Sequence, residues 1–171
     1  MLGTYRLLVL VVLVVATVDQ ATKALAAATL DDGEVVPLLG RAVDLRLRAN
    51  PGLAWGLGGG QSAAVRRALV PALELAVGLV LCGMYRRLEP QERLLRWGAA
   101  LIVGGGLGNL VDRARLGHVV DFVGIHLISA SNTVSGTFNL ADGALAAGVL
   151  LVAGGVLRRR RSHVAREEGS E

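Results

Sequence analysis

The stretch TFNLADGALAAGVLLVAGGVL, residues 137–157, is long and apolar enough to cross a lipid bilayer, yet it carries a carboxylate near one end. About 20 apolar residues in a helix span the hydrocarbon core of a membrane. A charge inside the hydrocarbon is costly, and ionisable residues that occur there usually mark function. This stretch therefore predicts a transmembrane helix, with Asp142 and the preceding Asn139 as candidates for a functional site.

The composition agrees with a membrane protein of one domain. Of 171 residues, 53% are hydrophobic and 19% are charged, and such a balance is typical of membrane domains. The net charge of +4 comes from arginines between the apolar runs and at the C-terminus. They do not follow one amphipathic face, so we interpret them as topology signals and expect no nucleic-acid binding. With Cys82 alone, an intrachain disulfide or CxxC metal site is impossible.

Four apolar runs predict transmembrane helices, over residues 7–28, 68–85, 94–111 and 137–157. We take residues 1–161 as a single membrane-embedded domain and expect residues 162–171 to be a disordered cytoplasmic tail. Alternatively, the first run is a cleaved secretory signal, since Arg6 precedes it and an ALA triplet ends it. Asp19 and Lys23 interrupt this run, and three more spans follow, which favours a retained helix.

Arginine placement predicts the orientation. Basic residues are concentrated between the second and third runs and after the fourth: Arg86, Arg87, Arg93, Arg96 and residues 158–161. The positive-inside rule puts these segments and both termini in the cytoplasm, although Arg66 and Arg67 then lie outside. The outer segments are residues 29–67 and 112–136.

The outer segments show strand patterns. Val43, Leu45 and Leu47 alternate with polar residues, and residues 117–127 are rich in β-branched and apolar types. We therefore expect an α-helical polytopic membrane protein, with four transmembrane helices and a small extracytoplasmic β-sheet and loop region.

Unusual polar residues gather toward the outer side. Asp19 and Lys23 are four residues apart on one helix face, which suits a mutually neutralising pair or an orienting role beside a site.

The third run ends in GGGLGNLVDRARLG, whose glycines let helices approach closely. Asn109 follows these glycines, and the next charges are Asp112 and Arg113. A surface position for Asp112 and an interfacial one for Arg113 is the simpler alternative.

Two aspartates reach the same depth from different segments. Asp121 lies among valines and Phe122, and an apolar setting raises the pKa of a carboxyl group. Asp142 lies five residues past Thr137, about 7 Å into a helix that starts at the same face. Helix-dipole stabilisation is the alternative role for a lone Asp142. Two carboxylates that share a proton can split a peptide bond by activating water.

Four sequence blocks resemble the lipoprotein signal peptidase (signal peptidase II) family. They are DQATK at residues 19–23, RANPGLAWGL at 48–57, GGGLGNLVDRARLGHVVDF at 104–122 and FNLAD at 138–142. Their order and spacing match the family over nearly the whole chain. Trp55, where phenylalanine is common, and the polar loop ISASNTVSGT before Phe138 depart from the family pattern. Glu74 matches no family role.

The resemblance implies an intramembrane aspartic endopeptidase of the bacterial cytoplasmic membrane, which acts as a monomer without metal or cofactor. Its substrates would be diacylglyceryl-modified prolipoproteins, cut on the N-terminal side of the lipidated cysteine. Asp121 and Asp142 would form the catalytic pair. The family's supporting residues fall on Asp19, Lys23, Asn50, Gly52, Asn109, Arg113 and Asn139. Among them, Asn50 and Asn109 would bind the substrate backbone, and Arg113 and Asn139 would organise the site.

Three other functions are compatible with parts of the sequence. A serine-lysine peptidase would use Lys23 to activate one of the outer serines, which are Ser62, Ser129, Ser131 and Ser135. A zinc enzyme would use His118, Asp121 and His126, without a helical HExxH pattern. A small transporter or assembly subunit would use its intramembrane charges for protons or helix association, but it should distribute them through the membrane depth.

Overall fold

A computed structural model describes residues 2–52, 62–128 and 133–168. The helices are α1 (Leu2–Thr29), α2 (Ala63–Tyr85), α3 (Arg93–Leu116) and α4 (Leu140–Glu168), and the strands are β1 (Val36–Leu39), β2 (Val43–Asn50), β3 (Val119–Ile128) and β4 (Thr133–Phe138). By length and composition, one segment of each helix can cross a membrane: Tyr5–Thr29, Ala68–Tyr85, Arg93–Leu116 and Leu140–Arg161. The predicted architecture of four spanning helices and a small sheet is confirmed.

The sheet is antiparallel and its strands follow chain order. The two predicted strands are its central pair, β2 and β3, in which Arg48 lies opposite Asp121. β4 pairs with the other edge of β3, with Phe138 opposite Val123. Because β3 follows α3 and β4 leads into α4, the sheet joins the ends of these helices and brings Asp121 next to the start of α4.

Five helix ends differ from the predicted spans by more than one residue. α1 and α2 begin at Leu2 and Ala63, five residues before their predicted spans, and the other three differences are in α3 and α4. α3 continues past residue 111 to Leu116 and ends at Gly117, whose φ of 76° is the left-handed conformation that glycine adopts most easily. α4 begins at Leu140 instead of residue 137, because the preceding residues belong to β4. α4 also continues to Glu168, into the segment expected to be disordered. Residues 156–168 contain no glycine or proline, so the sequence has no helix breaker there.

α3 is the central helix and packs against the other three. A Cβ atom at Gly105 would lie 2.5 Å from the Ala141 carbonyl oxygen of α4, and one at Gly108 would lie 2.6 Å from Asp19 Oδ2 of α1. Gly104 is similarly close to Val15 of α1. The predicted close approach of helices is confirmed at these three glycines, whereas among the described residues nothing lies within 4 Å of a Cβ at Gly106.

The bundle has an apolar end and a polar end. The buried apolar cluster comprises Leu8, Val11, Tyr85, Ala99 and Ala100, far from the sheet along the helices. The buried charged and amide side chains lie at the other end, beside the sheet. Many leucines and valines on α1, α2 and α4 are exposed, as expected of helix faces in contact with lipid.

Candidate active site

Asn139 connects the last strand to the last helix and contacts both acids that the sequence singles out. Its Oδ1 accepts the backbone N–H of Asp142 at 2.9 Å, and its own backbone N–H donates to Asp142 Oδ2 at 3.2 Å. This reciprocal pair caps the start of α4, where backbone donors otherwise lack partners. Asn139 Nδ2 also donates to Asp121 Oδ1 at 2.9 Å. One asparagine therefore links the carboxylates of β3 and α4.

Asp121 is fully buried in β3, and its carboxylate accepts three hydrogen bonds. Besides Asn139, Asn50 Nδ2 and Thr137 Oγ1 each donate to Oδ2 at 3.1 Å. Burial raises the pKa of Asp121 to about 6, and the negative charge of Asp142 adds to this rise, while the three donors oppose it. Asp121 can therefore exchange a proton near neutral pH.

Asp142 lies in the first turn of α4 and is only partly buried. Asn109 Nδ2 donates to its Oδ1 at 3.0 Å from the neighbouring α3. Its bonds to Asn139 give it a capping role, and the helix dipole favours an anion at this position. Because the side chain keeps some solvent contact, water can reach the carboxylate pair from this side.

Lys23 is the centre of a buried charge network behind Asn109. Its Nζ lies 2.8 Å from Asp19 Oδ2 and 2.8 Å from Asp112 Oδ2. It also donates to Asn109 Oδ1 at 3.1 Å. All four side chains are almost completely buried, so the ammonium and the two carboxylates compensate each other's loss of hydration. Lys23 thereby positions Asn109, which contacts Asp142.

The two carboxylates beside Lys23 also hold backbone segments. Asp19 Oδ1 accepts the N–H of Ala141 at 2.9 Å, at the start of α4. Asp112 Oδ2 accepts the N–H of Val120 at 3.0 Å, at the start of β3. Gln20 donates to Asp112 Oδ1 at 2.8 Å. The network therefore fixes the residues next to Asp142 and Asp121. Asp112 is 2% exposed, so the alternative that it lies at the surface is wrong.

Arg113 connects α3 to α2 and to the end of β2. Its Nη1 lies 2.6 Å from Glu74 Oε1, and its Nη2 donates to the Gly52 carbonyl at 2.9 Å. The N–H of Gly52 donates to Asn50 Oδ1 at 3.1 Å. The side chain of Arg113 is 8% exposed, so these contacts hold it inside the protein. Arg113 and Asn50 together hold the chain beside Asp121.

The structure brings all the sequence-predicted site residues to this end of the bundle, in three connected groups. Asn139 and Asn109 contact the acids, Lys23 lies behind them, and Arg113 holds the end of β2. Sequence reasoning assigned no site role to four other participants, which are Gln20, Glu74, Asp112 and Thr137. Glu74 was detectable, since it is the one charged residue within residues 68–85. Trp55 lies outside the described residues.

The geometry does not favour the alternative chemistries. Lys23 contacts carboxylates and an amide, with no serine among its described partners. Ser62 instead caps α2, and Ser129 and Ser131 lie outside the described residues. Asp121 and His126 are an odd number of residues apart on β3 and so point to opposite faces. In the described part of the chain, no group of three or more potential ligands is arranged for a metal ion.

Comparisons with known proteins agree on one family. A family model described as signal peptidase (SPase) II matches residues 11–158. A lipoprotein signal peptidase of Desulforapulum autotrophicum is 38% identical over 84% of this chain and 87% of its own length. That of Moorella thermoacetica is 34% identical over 84% of this chain and 87% of its own length.

Solved structures support the same fold. A bacterial membrane enzyme determined by the in meso method at 1.9 Å resolution is similar to this chain with a TM-score of 0.72 and 25% identity. The match covers 88% of this chain and 92% of that enzyme. A second bacterial membrane enzyme, determined at 2.3 Å, gives a TM-score of 0.74 at 24% identity and supports the fold alone.

Proposed function

Because this chain belongs to the signal peptidase II family and is a multi-pass membrane peptidase, we propose that it cleaves signal peptides from diacylglyceryl-modified prolipoproteins with Asp121 and Asp142. The cut falls on the N-terminal side of the lipidated cysteine. The observation that carries the catalytic assignment is the bridge through Asn139, which bonds to both carboxylates where β4 becomes α4.

The two carboxylates act on water and on the scissile carbonyl. One is ionised and removes a proton from water as the water oxygen attacks the carbonyl carbon. The other is protonated and donates a hydrogen bond to the carbonyl oxygen as that oxygen gains negative charge. When the tetrahedral intermediate collapses, the C–N bond breaks and a proton from the pair goes to the leaving nitrogen. A pKa of about 6 for Asp121 supports this sharing of one proton.

The surrounding residues orient the pair and the substrate. Asn139 keeps both carboxylates in place, and Lys23 with Asp19 fixes Asn109 beside Asp142. Asn50 and Asn109 each donate one Nδ2 hydrogen to an acid and have a second Nδ2 hydrogen, and we assign them to the substrate backbone. Arg113 bonds to Gly52 and holds the chain at the end of β2.

The membrane setting accounts for a lipid-bearing substrate. The acids lie at one end of helices whose outer faces are apolar, so a diacylglyceryl group can stay among the lipids while the peptide meets the carboxylates. We assign this end to the extracytoplasmic face of the bacterial cytoplasmic membrane, with both termini on the cytoplasmic face. One chain contains all the proposed residues, which supports a functional monomer.

The experiment compares cleavage of one prolipoprotein with and without its diacylglyceryl group. The purified chain should release a product that begins at the lipidated cysteine, as identified by mass spectrometry, and should leave the unmodified precursor intact. Cleavage in the presence of a metal chelator should be unchanged. Equal cleavage of both precursors would overturn the substrate assignment, and a loss with chelator that zinc restores would favour the zinc alternative.

Asp44→Asn is the matched control for Asp121→Asn. Asp44 is a buried carboxylate of the same sheet, but it pairs with Arg46 and His126. Both variants must first show a cooperative unfolding transition. Cleavage should persist in Asp44→Asn and fall by at least about a hundredfold in Asp121→Asn. Undiminished cleavage by folded Asp121→Asn would contradict the proposed role.

A further inference from the structure

A basic cavity lies between the start of α3 and residues 155–159 of α4, at the end of the bundle opposite the proposed active site. Its volume is ≈ 860 Å³. Its lining includes Arg93, Leu94 and Leu95 of α3 and Gly155, Arg158 and Arg159 of α4. None of them takes part in the catalytic proposal.

The charge of this cavity favours an anion. Arg93, Arg158 and Arg159 supply three positive charges, and Glu92 supplies one negative charge. Glu92 Oε1 lies 3.5 Å from Arg159 Nη1, whose side chain is 62% exposed. An exposed ion pair of this length contributes little stability, so a phosphate can compete with Glu92. The guanidinium fork matches phosphate oxygens well.

The cavity lies where two helices reach the ends of their apolar, membrane-length segments. The spanning segment of α4 ends at Arg161, and that of α3 begins at Arg93. Gly155 lies one turn before Arg158, about 4.5 Å deeper along the helix. It packs closely against Leu95, since a Cβ there would lie 2.6 Å from the leucine side chain. The cavity thus has arginines at the membrane surface and an apolar floor beneath them.

A second, smaller cavity adjoins the first and supports this depth. Its volume is ≈ 290 Å³, and it shares Pro90 and Arg93 with the larger one. Trp97, which also lines it, is 45% exposed. Tryptophan is enriched where headgroups meet the hydrocarbon. Arg93 therefore lies between two cavities at headgroup level.

We propose that the larger cavity binds an anionic phospholipid of the surrounding membrane. The lipid phosphate contacts Arg93, Arg158 and Arg159, while its glycerol and first acyl carbons lie over Leu95 and Gly155. A free phosphate would use the arginines without the apolar floor, so the combination favours a lipid. This site is independent of the proposed peptidase chemistry.

Neighbouring arginines provide a matched control of equal charge. Arg158→Gln/Arg159→Gln and Arg160→Gln/Arg161→Gln each remove two positive charges from the same turn region of α4, but Arg160 and Arg161 do not line this cavity. Native mass spectrometry of the full chain in detergent would measure binding of phosphatidylglycerol, with phosphatidylcholine and glycerol phosphate as comparison probes.

The first pair should weaken phosphatidylglycerol binding about tenfold or more and the control pair less than about twofold. Phosphatidylcholine should bind weakly to all forms, and glycerol phosphate should not displace the lipid. An equal loss in both pairs, or no loss in either, would overturn the site. Displacement by glycerol phosphate would overturn its assignment to a lipid. If the first pair does not fold, Arg93→Gln and its control Arg87→Gln give the same comparison.

Discussion

At the level of single residues, the ionisation of Asp121 links the site to stability. Burial raises the pKa of this carboxyl from 3.8 to about 6. Between these two pH values the folded protein keeps a proton that the unfolded chain releases. The free energy of unfolding is therefore higher below pH 3.8 and falls as the pH rises to about 6. Ionisation of Asp121 should lower the free energy of unfolding by at most about 3 kcal/mol over this pH range.

Asp121→Asn should remove this part of the pH dependence. Thermal unfolding of both forms would be measured from about pH 4 to about pH 7. The variant should gain stability relative to the wild type as pH rises through this interval, because it has no carboxyl to ionise in the buried site. A constant difference between the two curves would show that Asp121 titrates at an ordinary pKa.

Lys23 should contribute to folding rather than act as a general base. Lys23→Met leaves Asp19 and Asp112 buried without their cation, and breaking a buried ion network costs about 3 to 5 kcal/mol. The unfolding temperature should fall strongly, whereas that of Thr22→Ala, a half-buried neighbour whose hydroxyl donates to backbone carbonyls of its own helix, should change little. Full thermal stability of Lys23→Met together with complete loss of cleavage would instead favour the lysine as a base.

At the level of helices and strands, the glycines of α3 allow a test with an internal control. Gly105→Ala and Gly108→Ala place a methyl group within 2.6 Å of α4 or Asp19. Each should destabilise the protein by about 1 to 3 kcal/mol and reduce cleavage, since both contacts adjoin the site. Gly106→Ala has open space, and its stability should be unchanged or higher by up to about 1 kcal/mol.

Stability and cleavage of the three variants would be measured together. Similar behaviour of all three would mean that helix propensity, and not the close approach of α3 to its neighbours, determines the outcome.

The elements themselves were predictable to different degrees. Long apolar runs identified the four helices, alternation identified β2, and β-branched and apolar composition identified β3, because all three are local properties of the sequence. The start of α4 was predicted too early, since pairing of β4 with β3 is a long-range contact. Likewise, the burial of Asp112 depends on Lys23 in another helix. Local sequence patterns give no information about such long-range contacts. The motif blocks, in contrast, include most residues of the candidate site.

At the level of the whole molecule, the basic and polar ends predict a fixed orientation in the membrane. Cysteine labelling of intact cells tests it in a Cys82→Ala background, because Cys82 is the one native cysteine. Gly40→Cys, between β1 and β2, should react with an impermeant reagent from outside. Arg87→Cys, after α2, should react only after permeabilisation. The reverse pattern would contradict the proposed extracytoplasmic site.

We propose that Asp121 and Asp142 work as one catalytic unit through Asn139. The single-turnover cleavage rates of Asp121→Asn, Asp142→Asn and the double variant test this coupling. When two groups act as one catalytic unit, removal of either one abolishes the rate contribution of both. We expect each single variant to fall to the residual rate of the double variant. Substantial cleavage by either folded single variant, or a double variant slowed by the product of two separate effects, would contradict it.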